Sequence, residues 1–78
     1  MTNLEKYNNV FKESFSIEES ELPQLKYQDI SEWDSIGHMN LMAQIEDAFE
    51  IELDTDNIVD FSSYEIGKEI LRKYNVEI

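Results

Sequence analysis

A chain of 78 residues with no cysteine, one proline and two glycines has room for one small domain, and excludes disulfides, thiolate metal sites, a cysteine nucleophile and a turn-dense β fold. Its 41% apolar and 31% charged residues suit a folded domain, but the longest apolar run, Leu41-Met42-Ala43, excludes a membrane span. Eighteen acids against six bases give a net charge of −12, a balance that repels nucleic acid and anionic lipid and attracts basic patches on proteins.

The opening residues, MTNLEKYNNVFKESF, lack the apolar stretch of a secretory signal, so a cytoplasmic location is expected. Within them Leu4, Tyr7, Phe11 and Phe15 recur at three- and four-residue spacing, which predicts an amphipathic helix fading around Ser16. Thr2 and Glu5 have the spacing of a capping box at its start. From Ile17 to Asp34 the pattern lapses. Pro23 interrupts this stretch, and Leu22, Leu25, Tyr27, Ile30 and Trp33 are scattered without a period. A long first loop is expected, packed down over the helices by those five side chains.

The second helix is predicted over Ile36 to Glu50, with Asp34 as its N-cap. At about 100° per residue, Leu41, Ile45, Ala48 and Phe49 share one arc with Gly37 and His38. The opposite arc carries Ile36, Met39, Ala43, Glu46, Asp47 and Glu50. A short third helix follows from Asp56 to Phe61, capped by Asp54 or Thr55. Ser62-x-x-Glu65 forms a second capping box ahead of a last helix whose inner stripe is Ile66, Ile70, Leu71 and Tyr74. Lys68, Arg72 and Lys73 lie toward the C-terminal end of that helix, where its dipole favours them. These elements describe a single all-α domain over residues 1–78: three longer helices, one short third helix and a long first loop.

Between Tyr27 and Gly67 stand eleven Asp and Glu and no Lys or Arg, and the chemistry of interest lies in that run. Asp34-Ser35-Ile36 opens the acidic helix. Unpaired backbone N–H groups and the helix dipole there favour negative charge, so a phosphodiester on Ser35 would be tolerated. A plain helix cap uses the same residue types. A hydrolase triad of Asp34, Ser35 and His38 is rejected, because near neighbours on one helix cannot form an oriented relay. His38 is expected as a packed imidazole. Asp54, Asp56, Asp60 and Glu65 have part of the spacing of a calcium loop, but Ile58 and Val59 occupy its fifth and sixth positions, so no metal site is expected.

Read onward from the triplet, the stretch runs through Leu41, Ile45-Glu46, Phe49, Ile51 and Leu53 to an acid-rich short helix. From about Trp33 to Tyr74 it resembles the acyl carrier proteins, with a weaker match in the first helix. The resemblance implies a four-helix bundle and a non-catalytic role. It implies that the Ser35 hydroxyl receives 4′-phosphopantetheine from coenzyme A through a phosphopantetheinyl transferase, with Asp34 and Ile36 flanking the attachment. The arm's thiol would then carry acyl groups as thioesters between an acyl-loading ligase or transferase and downstream enzymes of fatty-acid, polyketide or other biosynthesis. Ile36 and Met39 would supply short-range partner contact, while Glu46, Asp47, Glu50 and Glu52 would steer basic enzymes to the same face. A monomer is expected. Four features depart from the family pattern: Gly37 and Asn40 where acids are common, Asp54 in place of a frequent proline, and Ser31-Glu32-Trp33 in place of a Gly-Gly leader. The alternative is an acidic protein–protein adaptor without a prosthetic group.

Overall fold

The first helix begins as its cap predicts. In the computed structural model, which describes all residues 1–78, Thr2 Oγ1 accepts the Glu5 N–H at 3.1 Å and Glu5 Oε1 accepts the Thr2 N–H at 3.0 Å. The Thr2 backbone N–H, and after it the Thr2 hydroxyl, hold the Glu5 carboxyl below its ordinary range. Helix α1 (Asn3–Phe15) runs until Ser16 turns left-handed at φ 53°. Tyr7, Phe11 and Phe15 are buried as expected, but Leu4 lies 43% exposed in the first turn.

The stretch read as an unbroken loop contains a 3₁₀ helix over Glu19–Gln24. Glu21 Oε2 accepts the Glu18 N–H at 3.2 Å, which nucleates the turn, and Pro23, lacking an N–H, keeps it short. Its two short turns are too brief to leave a periodic signal. Leu22, Leu25 and Trp33 of this region are buried, with Tyr27 and Ile30 half-buried against the core.

Three further helices complete an all-α architecture: α2 (Ser35–Phe49), α3 (Thr55–Asp60) and α4 (Tyr64–Lys73). No strand is present; one isolated antiparallel bridge pairs Lys26 with Ser63. There Tyr27 N–H donates to Ser62 O at 2.9 Å and Tyr64 N–H to Leu25 O at 3.0 Å. The last helix is capped one residue later than its sequence pattern suggests. Ser63, not Ser62, accepts the Ile66 N–H at 3.0 Å, because the Ser62 carbonyl is drawn into this bridge. That shift turns Ile66 outward to 38% exposure and brings Gly67 inward beside Ile70 and Leu71.

Phe11 is the hub of the core. Its ring lies 5.0 to 6.3 Å from those of Tyr7, Tyr64, Trp33, Phe15 and Phe61, and such aromatic pairs each contribute about 0.5–1.5 kcal/mol beyond area burial. Tyr7 donates its hydroxyl to Tyr64 O at 2.7 Å, and Tyr64 donates to Asn8 Oδ1. Burial pushes the Tyr7 phenol well above its ordinary value, with the charges of Tyr64 and Glu65 adding to the shift. Gly67 permits this packing, since a Cβ there would strike the Tyr7 hydroxyl and the Phe61 ring. Met42, which falls on neither arc of the sequence reading, is also buried beside Leu41 and Ile45.

Between α2 and α3, Glu50 adopts φ 54° and closes α2. Tyr74 Oη then accepts from Asp54 N–H at 2.9 Å and Asn57 Nδ2 at 2.8 Å, pinning the start of α3 to the end of α4. α3 itself buries no side chain fully. No helix is long and apolar enough to cross a membrane.

Candidate functional site

Asp34 and Ser35 divide two tasks that the sequence leaves open between them. Asp34 Oδ1 accepts the Gly37 N–H at 2.8 Å and its backbone carbonyl accepts the His38 N–H at 2.7 Å, so Asp34 is the cap. Ser35, the first residue of α2, is exposed and takes no part in capping. Its Oγ lies 3.3 Å from the Tyr27 hydroxyl. The N–H groups of Ser35 and Ile36 occupy the first two helical positions and have no intrahelical acceptor. An exposed primary hydroxyl, bonded only to the Tyr27 hydroxyl, is thus set beside two unsatisfied donors and the positive end of a 15-residue helix.

Tyr27 reaches Ser35 from the opposite side of the first loop. Asp29 Oδ2 accepts the Lys26 N–H at 2.9 Å, Gln28 turns at φ 72°, and Gln28 N–H returns to Trp33 O at 3.1 Å. With the bridge to Ser62, these bonds fix the Tyr27 backbone on both sides. Its ring meets Trp33 and His38 edge-on at 6.2 and 5.5 Å.

His38 is half-buried, and its partners determine its tautomer. The Trp33 indole N–H can only donate, and it does so to Nδ1 at 2.9 Å. The other ring nitrogen is 2.7 Å from Ile58 O, which can only accept. Nε2 therefore carries the proton, and the ring bonds the first loop to α3 through α2. It addresses neither Asp34 nor Ser35. The acids of the rejected calcium spacing are likewise dispersed. Asp54 stands at the N-cap position of α3 without a side-chain capping bond, Glu65 pairs with Lys68 at 3.2 Å, and no group of three or more potential metal ligands is assembled.

A cleft of about 330 Å³ opens beside Ser35, walled by Tyr27, His38, Met39, Ile58, Val59, Phe61 and Ser62. Two large apolar side chains of its wall stand exposed, Val59 at 72% and Met39 at 54%, while Ile36, exposed at 74%, lies outside the cleft. Asp47, Glu50 and Glu52 are exposed toward the far end of α2 and just beyond it. Glu46 is not. Its half-buried carboxylate accepts the Leu53 N–H at 2.8 Å and is committed to the loop between α2 and α3. Gly37 has a steric reason to lack a side chain, because a Cβ there would collide with the Glu32 carbonyl oxygen.

Comparison with family models, curated proteins and solved structures finds no match to this chain.

Tyr27, Val59 and Ser62 were not singled out as site residues in the sequence. Tyr27 comes from an aperiodic loop, and Val59 and Ser62 from a helix and a turn far along the chain, so no local pattern joins them to Ser35. The bridge between Leu25–Tyr27 and Ser62–Tyr64, with the bond from His38 to Ile58 O, brings them together.

Proposed function

We propose that this protein is a carrier of the acyl-carrier type, a four-helix bundle that holds 4′-phosphopantetheine on Ser35 and performs no catalysis itself. The observation that carries the reading is the division of labour at the start of α2. Asp34 supplies the cap, which leaves the Ser35 hydroxyl exposed at a helix N-terminus on the rim of an apolar cleft. A serine needed only for structure would be expected to bond a nearby backbone group.

In the modification, Ser35 Oγ attacks the β-phosphorus of coenzyme A. An O–P bond forms, the pyrophosphate P–O bond breaks, and 3′,5′-adenosine bisphosphate leaves with the electron pair. The transferase takes the serine proton. The new phosphodiester sits where the free N–H groups and the helix dipole stabilise it. The arm's thiol supplies the thioester chemistry that a cysteine-free chain lacks. Partner enzymes would approach along α2, with Ile36, Met39 and Val59 as the contact and Asp47, Glu50 and Glu52 speeding encounter.

The test is to incubate the folded protein with coenzyme A and a phosphopantetheinyl transferase and to weigh it intact. A gain of one arm is expected. Ser35→Ala should take up none while keeping its helical circular dichroism. An unmodified wild-type protein would leave the acidic adaptor as the standing alternative.

A further inference from the structure

On the carrier reading, we propose that His38 bars the interior to whatever the arm carries. The cleft then shelters the arm itself and leaves the cargo in solvent, which restricts that cargo to short or polar acyl and aminoacyl groups. The argument begins with order along the tether. The cleft opens at Ser35 and holds about 330 Å³, so the atoms nearest the anchor fill it first. Those atoms are a phosphate, a carbon bearing two methyl groups, a hydroxyl and an amide. Met39, Ile58, Val59 and Phe61 offer the methyl groups an apolar wall, while the Tyr27 and Ser62 hydroxyls offer polar partners at the rim.

Beyond the cleft the way is shut. The bond from His38 Nε2 to Ile58 O crosses from α2 to α3 at 2.7 Å. Trp33, fully buried, lies nearly coplanar with the same imidazole, edge to edge through its N–H bond to Nδ1 with 6.2 Å between centroids and 18° between planes, and the fully buried Phe61 ring meets it at 6.3 Å. An alkyl chain passing between α2 and α3 would have to part His38 from Ile58, leaving a carbonyl and a ring N–H unsatisfied. It would then meet an interior already filled by Phe11, Leu41 and Phe61. A long chain would stay in water, where each added methylene is unfavourable.

Thermal melts of the apo protein, the arm-loaded protein and a series loaded with acetyl, butyryl, octanoyl and dodecanoyl arms test this, with each loading verified by intact mass. Attachment of the arm should raise Tm by about 3 °C or more, the effect of burying roughly one methylene-equivalent in a domain of this size. Lengthening the acyl group should then move Tm by less than about 1 °C in all. In His38→Ala, compared with its own arm-loaded form, the octanoyl and dodecanoyl forms should gain stability with length. If that variant does not fold, NMR cross-peaks in the wild type decide the matter, and the acyl methyl protons should show none to the Trp33 or Phe61 rings. A Tm that climbs with chain length in the wild type overturns the proposal. So do such cross-peaks, an arm that leaves Tm unchanged, or a folded His38→Ala protein that remains indifferent to length. Failure of Ser35 to accept the arm is seen in the mass before any melt, and it removes the carrier reading as well.

Discussion

Two regions of this small molecule are built on opposite rules. Where α1 meets α4 and the first loop, Phe11 sits among five other aromatic rings, and one glycine is needed to fit them together. Where α2 begins beside α3, Ile36, Met39 and Val59 face solvent, and α3 is held mainly through hydrogen bonds at His38 and Tyr74. The difference teaches that the exposed apolar side chains near Ser35 stand outside the ring cluster, although Trp33 and Phe61 of that cluster also border the site. That leaves the Ser35 end free to present apolar surface without loosening the core.

Substitutions at the two ends give the largest test of this contrast. Phe11→Ala should cost about 3–5 kcal/mol, a large share of the total stability of a small domain. Ile36→Ala and Met39→Ala should each stay within about 0.5 kcal/mol. Urea denaturation read by circular dichroism measures all three, and comparable losses at both ends would erase the distinction.

Alkaline titration probes the aromatic end alone. The folded chain holds the Tyr7 phenol proton above its ordinary pKa of 10.0 through burial, with Tyr64 and Glu65 contributing less. Above about pH 10 the unfolded chain releases a proton that the native state retains. Stability should therefore be intact below that pH and decline as pH rises, by about 1.4 kcal/mol per pH unit from this group. Urea midpoints collected across that range should show the slope, and a flat profile would mean that the phenol is not sequestered.

Smaller effects sharpen the picture at α2. Asp34→Ala removes the cap on Gly37 and should cost about 1 kcal/mol, while leaving Ser35 open to modification. Slower modification in step with lost helicity would show that the cap orders the site. At the other end of α2, Glu50 holds a left-handed φ of 54° without being glycine. Glu50→Gly should gain about 0.5 kcal/mol, measured as a raised urea midpoint.

Much of this was legible in the sequence, because helices announce themselves locally. Thr2, Asp34 and the Tyr7–Phe11–Phe15 stripe act over a turn or two, and their reading needs no knowledge of distant residues. What escaped depended on tertiary contact. The 3₁₀ helix at Glu19–Gln24 is too short for periodicity, and the cap of α4 moved from Ser62 to Ser63 because a remote segment claimed the Ser62 carbonyl. Glu46 reads as one more acid on an outward arc, yet it bonds a backbone N–H seven residues on. At the candidate site, Ser35 could be singled out from its triplet and its position. Tyr27 could not, since nothing near it in the chain marks a partner.

The bridge that delivers Tyr27 also bears on the order of folding. Lys26 and Ser63 are far apart in the chain, and joining them closes a loop that contains the whole of α2 and α3. Contacts of such span form late, after local helices have condensed, because loop-closure entropy opposes them until other packing is in place. The Ser35 hydroxyl gains its phenolic neighbour only when that loop has shut.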